Sequence, residues 1–335
     1  MKTTTYPNGL TVLSLFDGIA CGRLALDKAG ITIDKYYSSE ICPHALAIQN
    51  YHYSGDTNFI QLGDVTQING ADYAHVNLIN AGSPCIQLSS INPKDRSGLD
   101  GKDSSLFYEF IRIIKEIKAV KPKDEPLFVL LENVASMPNS ERDKITKTLT
   151  EALGEKPTLT KINSSDWGAG AHRRRYYWTN WGVISKPDNI NDVQYKDIIV
   201  NGYVDKDKAN VLLSGGVTLQ RGLFRHYKMG IGNVIFKSKS FAELPTEEKL
   251  KQYPEILEAS GYEGKSRIVL DEHSYYNGCY RTPSVLECSR LMGIPDDYLC
   301  PVETVSKSNK IKAIGLGFTV DVVAHILTSL KPFLE

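Results

Sequence analysis

The chain has 335 residues, and its 39 basic side chains balance its 39 acidic ones. That length exceeds one ordinary core and implies two lobes, while 41% hydrophobic and 23% charged residues exclude a disordered or fibrous chain. A neutral total argues mildly against a nucleic-acid partner, although it can hide one basic face.

Met1-Lys2-Thr3-Thr4-Thr5 lacks a signal-peptide core. No apolar run approaches the ~20 residues of a membrane helix. The expectation is a cytoplasmic protein with no membrane partner. Thr11 to Phe16 then reads as a strand, broken by Asp17-Gly18-Ile19-Ala20-Cys21-Gly22 before a helix opens at Arg23. Strand, glycine turn and helix open a nucleotide-type α/β unit. The G-x-G-x-x-G fingerprint is absent, which disfavours a dinucleotide and an oxidoreductase.

Asp34 to Ser39 reads as a second strand ending at Glu40, placed where such folds put a carboxylate against ribose hydroxyls. A strand-end surface acid would look the same. Pro43 starts a helix. The turn Gly63-Asp64-Val65 offers a carboxylate that could accept from an adenine amino group, or be an ordinary turn residue.

Val76 to Ile79 reads as a buried strand running into Asn80-Ala81-Gly82-Ser83-Pro84-Cys85. Gly and Pro make that turn sharp and stiff. A cysteine there is placed for nucleophilic work, although a cysteine after a strand is more often a small buried hydrophobe. The six cysteines show no C-x-x-C, so neither a metal site nor a disulfide framework is expected. A polar loop, roughly 87–104, follows. Leu106 to Ile117 has helical apolar spacing. Leu127 to Leu131 is a buried strand of parallel type, ending at Glu132-Asn133-Val134. A carboxyl there would be partly desolvated and could hold a proton near neutral pH.

Leu159 to Ile162 reads as a strand. Ala171-His172-Arg173-Arg174-Arg175-Tyr176 feeds another, in which alternation would turn Arg173 and Arg175 to one face. From about Gly182 to Gly278 the pattern degrades into a smaller, irregular β-rich lobe. It holds a basic-aromatic segment, Gln220 to Lys228, suited to phosphate and base-edge contact or to an exposed loop. Glu247 to Ala259 reads as a surface insertion. Ser284 with Glu287 fits a capping box, and that helix stops at Gly293. Gly315 to Val320 precedes a closing helix, Val322 to Leu330, whose apolar face implies return to the first core.

Taken together these motifs resemble the DNA cytosine-5 methyltransferase family, in the family's order along nearly the whole chain. In detail they look most like the catalytic domain of animal de novo methyltransferases, through Leu15 to Ala20, Gly82 to Cys85 with Leu88-Ser89 and Asn92-Pro93, and Ala171 to Tyr176. With no reader domain attached, a lone catalytic unit of the bacterial or phage kind is expected. The resemblance implies a Rossmann-like sheet dependent on S-adenosylmethionine, formed by 1–181 plus 281–335. A target-recognition lobe would span 182–280.

It further implies Cys85 as nucleophile, with Glu132, Arg175, Arg173 and Asn133 as catalytic partners. Phe16, Asp17, Gly18, Ile19, Glu40, Ile41, Asp64, Val65, Gly82, Pro84, Thr319 and Val320 would hold the cofactor. Ser89, Ile91, Arg96, Arg221, Arg225 and Lys228 would meet double-stranded DNA, with Ile91 as a wedge for the vacated stack or, equally, a loop anchor. Three positions depart from the family: Ile86 follows the cysteine in place of Gln, Ala171 precedes the arginines, and Gly315-Leu316 stands for Gly-Asn. The alternatives are a tRNA methyltransferase with the same chemistry and an inactive DNA-binding relative. A companion restriction endonuclease, monomer or dimer, and the base for the carbon-5 proton are left open.

Overall fold

The computed structural model describes residues 6–84, 87–89, 97–101, 103–212, 223, 225–251 and 280–334. Two compact units emerge. One comprises 1–163, 174–189 and 317–335, and the other 164–173 and 190–316. The sequence boundary kept all of 281–335 with the first lobe. By compactness the chain returns to the first unit only at Gly317.

The first unit is built on a seven-stranded sheet. Its strands are β1 (Leu10–Leu15), β2 (Ile33–Ser39), β3 (Phe59–Gln61), β4 (Leu78–Gly82), β5 (Phe128–Val134), β6 (Thr158–Asn163) and β7 (Arg174–Thr179). Their order is β3-β2-β1-β4-β5-β7-β6. The first five neighbours pair in parallel, and β7 runs antiparallel to both β5 and β6. This is the Rossmann-like methyltransferase sheet expected. After β1 the chain moves outward to β2 and β3, then returns to β4 on β1's other side. The crevice at such a reversal, outside the carboxyl ends of the strands, is where α/β sheets take ligands.

One sheet face buries Leu13, Leu15, Ile79, Val129 and Leu131 against helices α3 (Phe107–Val120) and α4 (Asn139–Leu153). Helix α3 follows the predicted spacing, with Phe107, Phe110, Ile111, Ile114 and Ile117 buried. Helix α1 (Cys21–Lys28) packs on the closing helix Val320–Thr328, and Lys28 pairs with Asp321. Helix α2 (Pro43–Tyr53) starts at its proline as predicted.

Lys307–Thr328 is, among the described residues, the one stretch long and apolar enough by composition to cross a membrane. The sequence reading expected none. It is two helices, Lys307–Leu316 and Val320–Thr328, broken at 317–319, and half of its most apolar window is buried in protein.

The described residues of the second unit carry less strand than a β-rich lobe implies, and 213–222, 224 and 252–279 of it lie outside them. Among the described residues it has the two-stranded pair β8 (Ile235–Phe236) and β9 (Tyr280–Arg281), isolated bridges and short helices. Its order rests on buried polar groups. Arg281 donates to both oxygens of Glu287 at 2.7 Å each, and Glu287 also accepts from Ser284 N at 2.7 Å and Val200 N at 2.8 Å. Burial alone would push that carboxyl up, but the guanidinium and these donors hold it below the usual range. The capping box of Ser284 and Glu287 is present. Asp205 accepts from Lys249 at 2.7 Å and lies 3.2 Å from His226 Nε2. Lys249, read as part of a surface insertion, is 2% exposed and belongs to this core. Residues 252–259 of that stretch lie outside the described residues.

Gly22 on α1 faces Asn80 of β4 so closely that a Cβ would stand 2.2 Å from Asn80 Nδ2 and 3.1 Å from Tyr36 Oη. Gly22→Ala should therefore destabilise the protein by roughly 1–3 kcal/mol through overpacking. That outweighs the ~1 kcal/mol an alanine normally adds in a helix. Urea unfolding of parent and variant measures it, and a stabilised variant would contradict the packing described.

Candidate active site

The carboxyl ends of β1, β2, β4 and β5 and the turn after β3 carry the motifs picked from the sequence. At β1 the turn is strained: Phe16, Gly18 and Ala20 have φ of 56°, 59° and 60°. Two of these are not glycine, and left-handed backbone costs such residues of order 1 kcal/mol each. Gly18 N donates to Glu40 Oε2 at 2.7 Å, while Glu40 Oε1 accepts from Ile41 N at 2.8 Å and Cys42 N at 2.7 Å. The carboxylate is thus aimed by backbone at the end of β2, half-buried, with Ile41 beside it 64% exposed.

A Cβ added at Gly18 or at Gly63 would meet nothing within 4 Å. Both turns face open space. Asp64 is exposed and caps its own turn by accepting from Thr66 N at 2.9 Å. Arg112 of α3 secures that turn from below. It donates to the carbonyls of Ile68 at 2.8 Å and Val65 at 3.3 Å, and is itself held by Glu109 and Glu116. A half-buried carboxylate, an exposed aliphatic side chain, a second carboxylate and two open glycine turns fit a nucleoside-bearing cofactor.

The other expected cofactor residues divide. Ile19, Val65, Thr319 and Val320 are buried, so they offer backbone rather than side chains. Asp17 is buried too. It accepts from Ser14 Oγ at 2.6 Å, Tyr36 Oη at 2.7 Å, Ser38 Oγ at 2.8 Å and Gln49 Nε2 at 3.3 Å. Its carboxylate therefore faces the protein's own donors. Burial pushes it up to about 6 against the pull of those hydroxyls, with Glu40 adding to the rise.

At the end of β4, Gly82 is hemmed in. A Cβ there would lie 3.0 Å from the Phe318 ring and 3.9 Å from Glu132 Oε2. Cys85, with Ile86, lies outside the described residues, but the chain on either side of it is anchored. Asn133 Nδ2 donates to Ser83 Oγ at 3.0 Å and Ser83 O at 3.3 Å. Gln87 donates to Asp103 at 3.1 Å and accepts from Ser104 N and Oγ at 3.1 and 2.9 Å. Asn133 thus meets the turn before the cysteine. Pro84 and Ser89 are half-buried.

Strand β5 runs through Glu132-Asn133-Val134 rather than stopping before it. Pairing sets Glu132 opposite Tyr177 and Val134 opposite Arg175, so Glu132 and Arg175 are diagonal neighbours on one sheet face. Arg175 Nε stands 2.7 Å from Glu132 Oε1. That is an ion-pair distance without hydrogen-bond alignment: Glu132 Oε1 is buried and makes no hydrogen bond among the described residues. Arg173 departs from the expectation. Strand β7 begins at Arg174, so alternation does not reach Arg173, which is buried and donates to Gly315 O at 3.2 Å.

Of the expected DNA contacts, Ile91, Arg96, Arg221 and the Arg225 side chain lie outside the described residues. Lys228 is exposed, whereas Leu223 and His226 of the same segment are buried. The sequence reading missed Phe318 and Arg112. An aromatic directly before Thr319-Val320 was the available signal for the first. Arg112 was absorbed into a core-helix reading.

A largely parallel sheet with its reversal at β1, a carboxylate at the end of β2, and a Gly-Ser-Pro segment, followed in sequence by Cys85, at the end of β4 beside the Glu-Asn-Val of β5 define a Rossmann-like methyltransferase. The chain belongs to the C-5 cytosine-specific DNA methylase family, whose model matches residues 10–332. It is 24% identical over 347 residues to the type II methyltransferase M1.ScrFI of Lactococcus lactis subsp. cremoris, covering all of this chain and 80% of that protein. It is 25% identical over 332 residues to M.NlaX of Neisseria lactamica, covering 97% of each. Among solved structures, the S. pombe Dnmt2 methyltransferase aligns with a TM-score of 0.66 at 16% identity, over 96% of this chain and 98% of that one. A putative DNA modification methyltransferase encoded within an E. coli prophage aligns at 0.60 and 20%, over 97% and 99%. These structures share the fold.

The raised Asp17 carboxyl makes a sign-specific prediction. Its folded pKa of about 6 exceeds the ordinary 3.8, so the folded state binds the proton more tightly. The stabilisation this gives is full below the unfolded value and is lost as pH rises through about 6. Asp17→Asn is neutral at every pH. Its stability relative to the parent should improve by about 2 kcal/mol between pH 4.5 and pH 8. Denaturant midpoints at the two pH values test this, and a constant difference would refute the buried-carboxylate account.

Proposed function

We propose that the chain methylates carbon 5 of a cytosine flipped out of duplex DNA, with S-adenosylmethionine as donor. The observation that carries this reading is Glu132 Oε1, a buried carboxylate oxygen without a hydrogen bond among the described residues, beside Arg175 at the end of the strand next to the Gly-Ser-Pro-Cys turn. When bound, the cofactor supplies an electrophilic sulfonium methyl for carbon 5. Glu40 would hold its ribose hydroxyls, Ile41 its adenine face and Asp64 its adenine amino group.

Flipping the base costs a few kcal/mol and frees carbon 6 for attack. Cys85 adds to carbon 6 as thiolate. A free thiol, with pKa about 8.5, is only slightly ionised at neutral pH, so positive charge nearby assists. Glu132 holds N3 through a proton shared between them and draws charge out of the ring, while Arg175 binds O2. Loss of the carbon-5 proton expels Cys85 and restores the ring. Arg173, held at Gly315 O, serves the site by fixing backbone, and Asn133 by fixing Ser83.

Target recognition falls to 182–280, with Lys228 and Arg221 as phosphate or base contacts. Ser89, Ile91 and Arg96 would close over the DNA. The type II naming of the relatives supports a DNA-modifying role in a bacterial cytoplasm, beside a companion endonuclease.

Labelled methyl should pass from S-adenosylmethionine to mixed-sequence duplex DNA and appear on cytosine carbon 5. Cys85→Ser should reduce it to background, and Glu132→Gln should lower kcat by roughly 10²–10⁴-fold. Label on tRNA in place of DNA would overturn the substrate. Transfer undiminished in Cys85→Ser would overturn the mechanism.

A further inference from the structure

Gln49 lies on α2, outside every motif of the sequence reading, and its side chain is fully buried. Its Nε2 donates to the Gly18 carbonyl at 2.8 Å and to Asp17 Oδ2 at 3.3 Å. Its Oε1 accepts from Gln61 Nε2 at 3.0 Å and lies 3.1 Å from Ser38 Oγ, whose single proton goes to Asp17 Oδ2 at the shorter 2.8 Å. The nitrogen faces a carbonyl and a carboxylate, which only accept, so the amide has one orientation. One side chain of α2 thereby grips the turn after β1, the end of β2 and the end of β3.

The consequence falls on Gly18. Its N–H is held by Glu40 Oε2 and its carbonyl by Gln49. With φ of 59° and open space ahead of it, Gly18 lies outside any strand or helix ladder. Without Gln49 its carbonyl would lose that partner, and a left-handed glycine has neighbouring conformations of similar energy. The same movement would release the N–H that aims Glu40.

We propose that Gln49 is a positioning residue for the cofactor: it fixes the Gly18 backbone and, through it, the Glu40 carboxylate, without touching the cofactor itself. The inference rests on the cofactor reading given above. An apolar residue in its place would leave the Gly18 carbonyl and one Asp17 oxygen short of a donor. A glutamate would set oxygen against oxygen.

The test uses the full chain and two readouts. Calorimetry gives the Kd for S-adenosylmethionine and for S-adenosylhomocysteine, and steady-state assays on duplex DNA give kcat and both KM values. Gln49→Leu and Gln49→Glu should weaken both cofactor ligands about tenfold, the worth of one buried hydrogen bond. KM for the cofactor should rise in parallel. The kcat at saturating cofactor and KM for DNA should stay within about twofold of the parent. Gln61→Leu, which removes only a bond to the far side of the amide, should change Kd less than about twofold.

Should the Gln49 variants fail to fold, Ser38→Ala carries the test. It deletes the hydroxyl that donates to Asp17 and packs beside Gln49 Oε1, and should raise Kd about threefold with kcat unmoved. An unchanged Kd in a folded Gln49 or Ser38 variant, or a loss confined to kcat, overturns the proposal. A parent that binds no S-adenosylmethionine overturns this inference together with the cofactor reading. A parent that binds, with variants that bind equally well, overturns this inference alone.

Discussion

The placement of β1 between β2 and β4, all three parallel, is the constraint on which the site depends. Parallel pairing aligns carboxyl ends, so segments far apart in sequence deliver their ends to one sheet edge. Phe16 and Glu40 follow strands of that set, Gly82 ends one, and Glu132 is brought alongside by β5, which pairs in parallel with β4 and sets Glu132 opposite Gly82. Strand β7 joins from the other direction: being antiparallel, it presents its beginning, Arg174 and Arg175, where β5 presents its end. An all-parallel sheet would carry Arg175 to the opposite edge, away from Glu132.

That edge is not made rigid by hydrophobic packing alone. The β1 turn contains three left-handed residues, and Gly18 among them bonds to the side chains of Glu40 and Gln49 rather than to a strand. Polar side chains buried beneath it hold it instead: Asp17 under the hydroxyls of Ser14, Tyr36 and Ser38, and Gln49 under Gly18. A buried carboxylate satisfied by neutral hydroxyls keeps part of its desolvation cost, which the rise of its pKa expresses. The arrangement trades stability above pH 6 for a fixed backbone. In the second unit the equivalent buried acids, Glu287 and Asp205, have cationic partners and are depressed. The carboxylate left without one lies directly beneath the strained turn.

What the sequence revealed follows from this. Apolar runs ending in Gly, Pro or an acid are legible because strand ends are punctuated locally, and β1, β2, β4, β5 and their motifs were found that way. Arg173 stands one residue before the strand begins, so alternation along the strand does not fix its face. Val65 and Ile19 carry motif positions, yet their side chains turn into the core, a distinction a one-dimensional pattern does not hold. Phe318, Arg112 and Gln49 act on backbone 31 to 236 positions away or on a turn secured from beneath, so no local spacing marks them. The second unit was least legible. Its short elements bury charged side chains such as Lys249 and Arg281, which a reading by hydrophobic periodicity assigns to the surface.

The Glu132–Arg175 pair shows why geometry and charge must be weighed together. At 2.7 Å the two ions attract, but the approach lacks hydrogen-bond alignment and leaves Glu132 Oε1 without a hydrogen bond among the described residues. In a fully aligned bidentate pair such as Arg281 with Glu287, the guanidinium is committed within the fold, to both carboxylate oxygens and to the Thr282 and Asn201 carbonyls. Glu132 and Arg175 are close enough to neutralise one another in a buried strand end and too poorly aligned to satisfy one another. In the proposed reaction that shortfall is what a base edge would fill, with N3 at the carboxyl and O2 at the guanidinium. The same residue types thus do two jobs in one chain. Alignment and complete satisfaction mark the pair that organises the fold, and misalignment marks the pair proposed to bind.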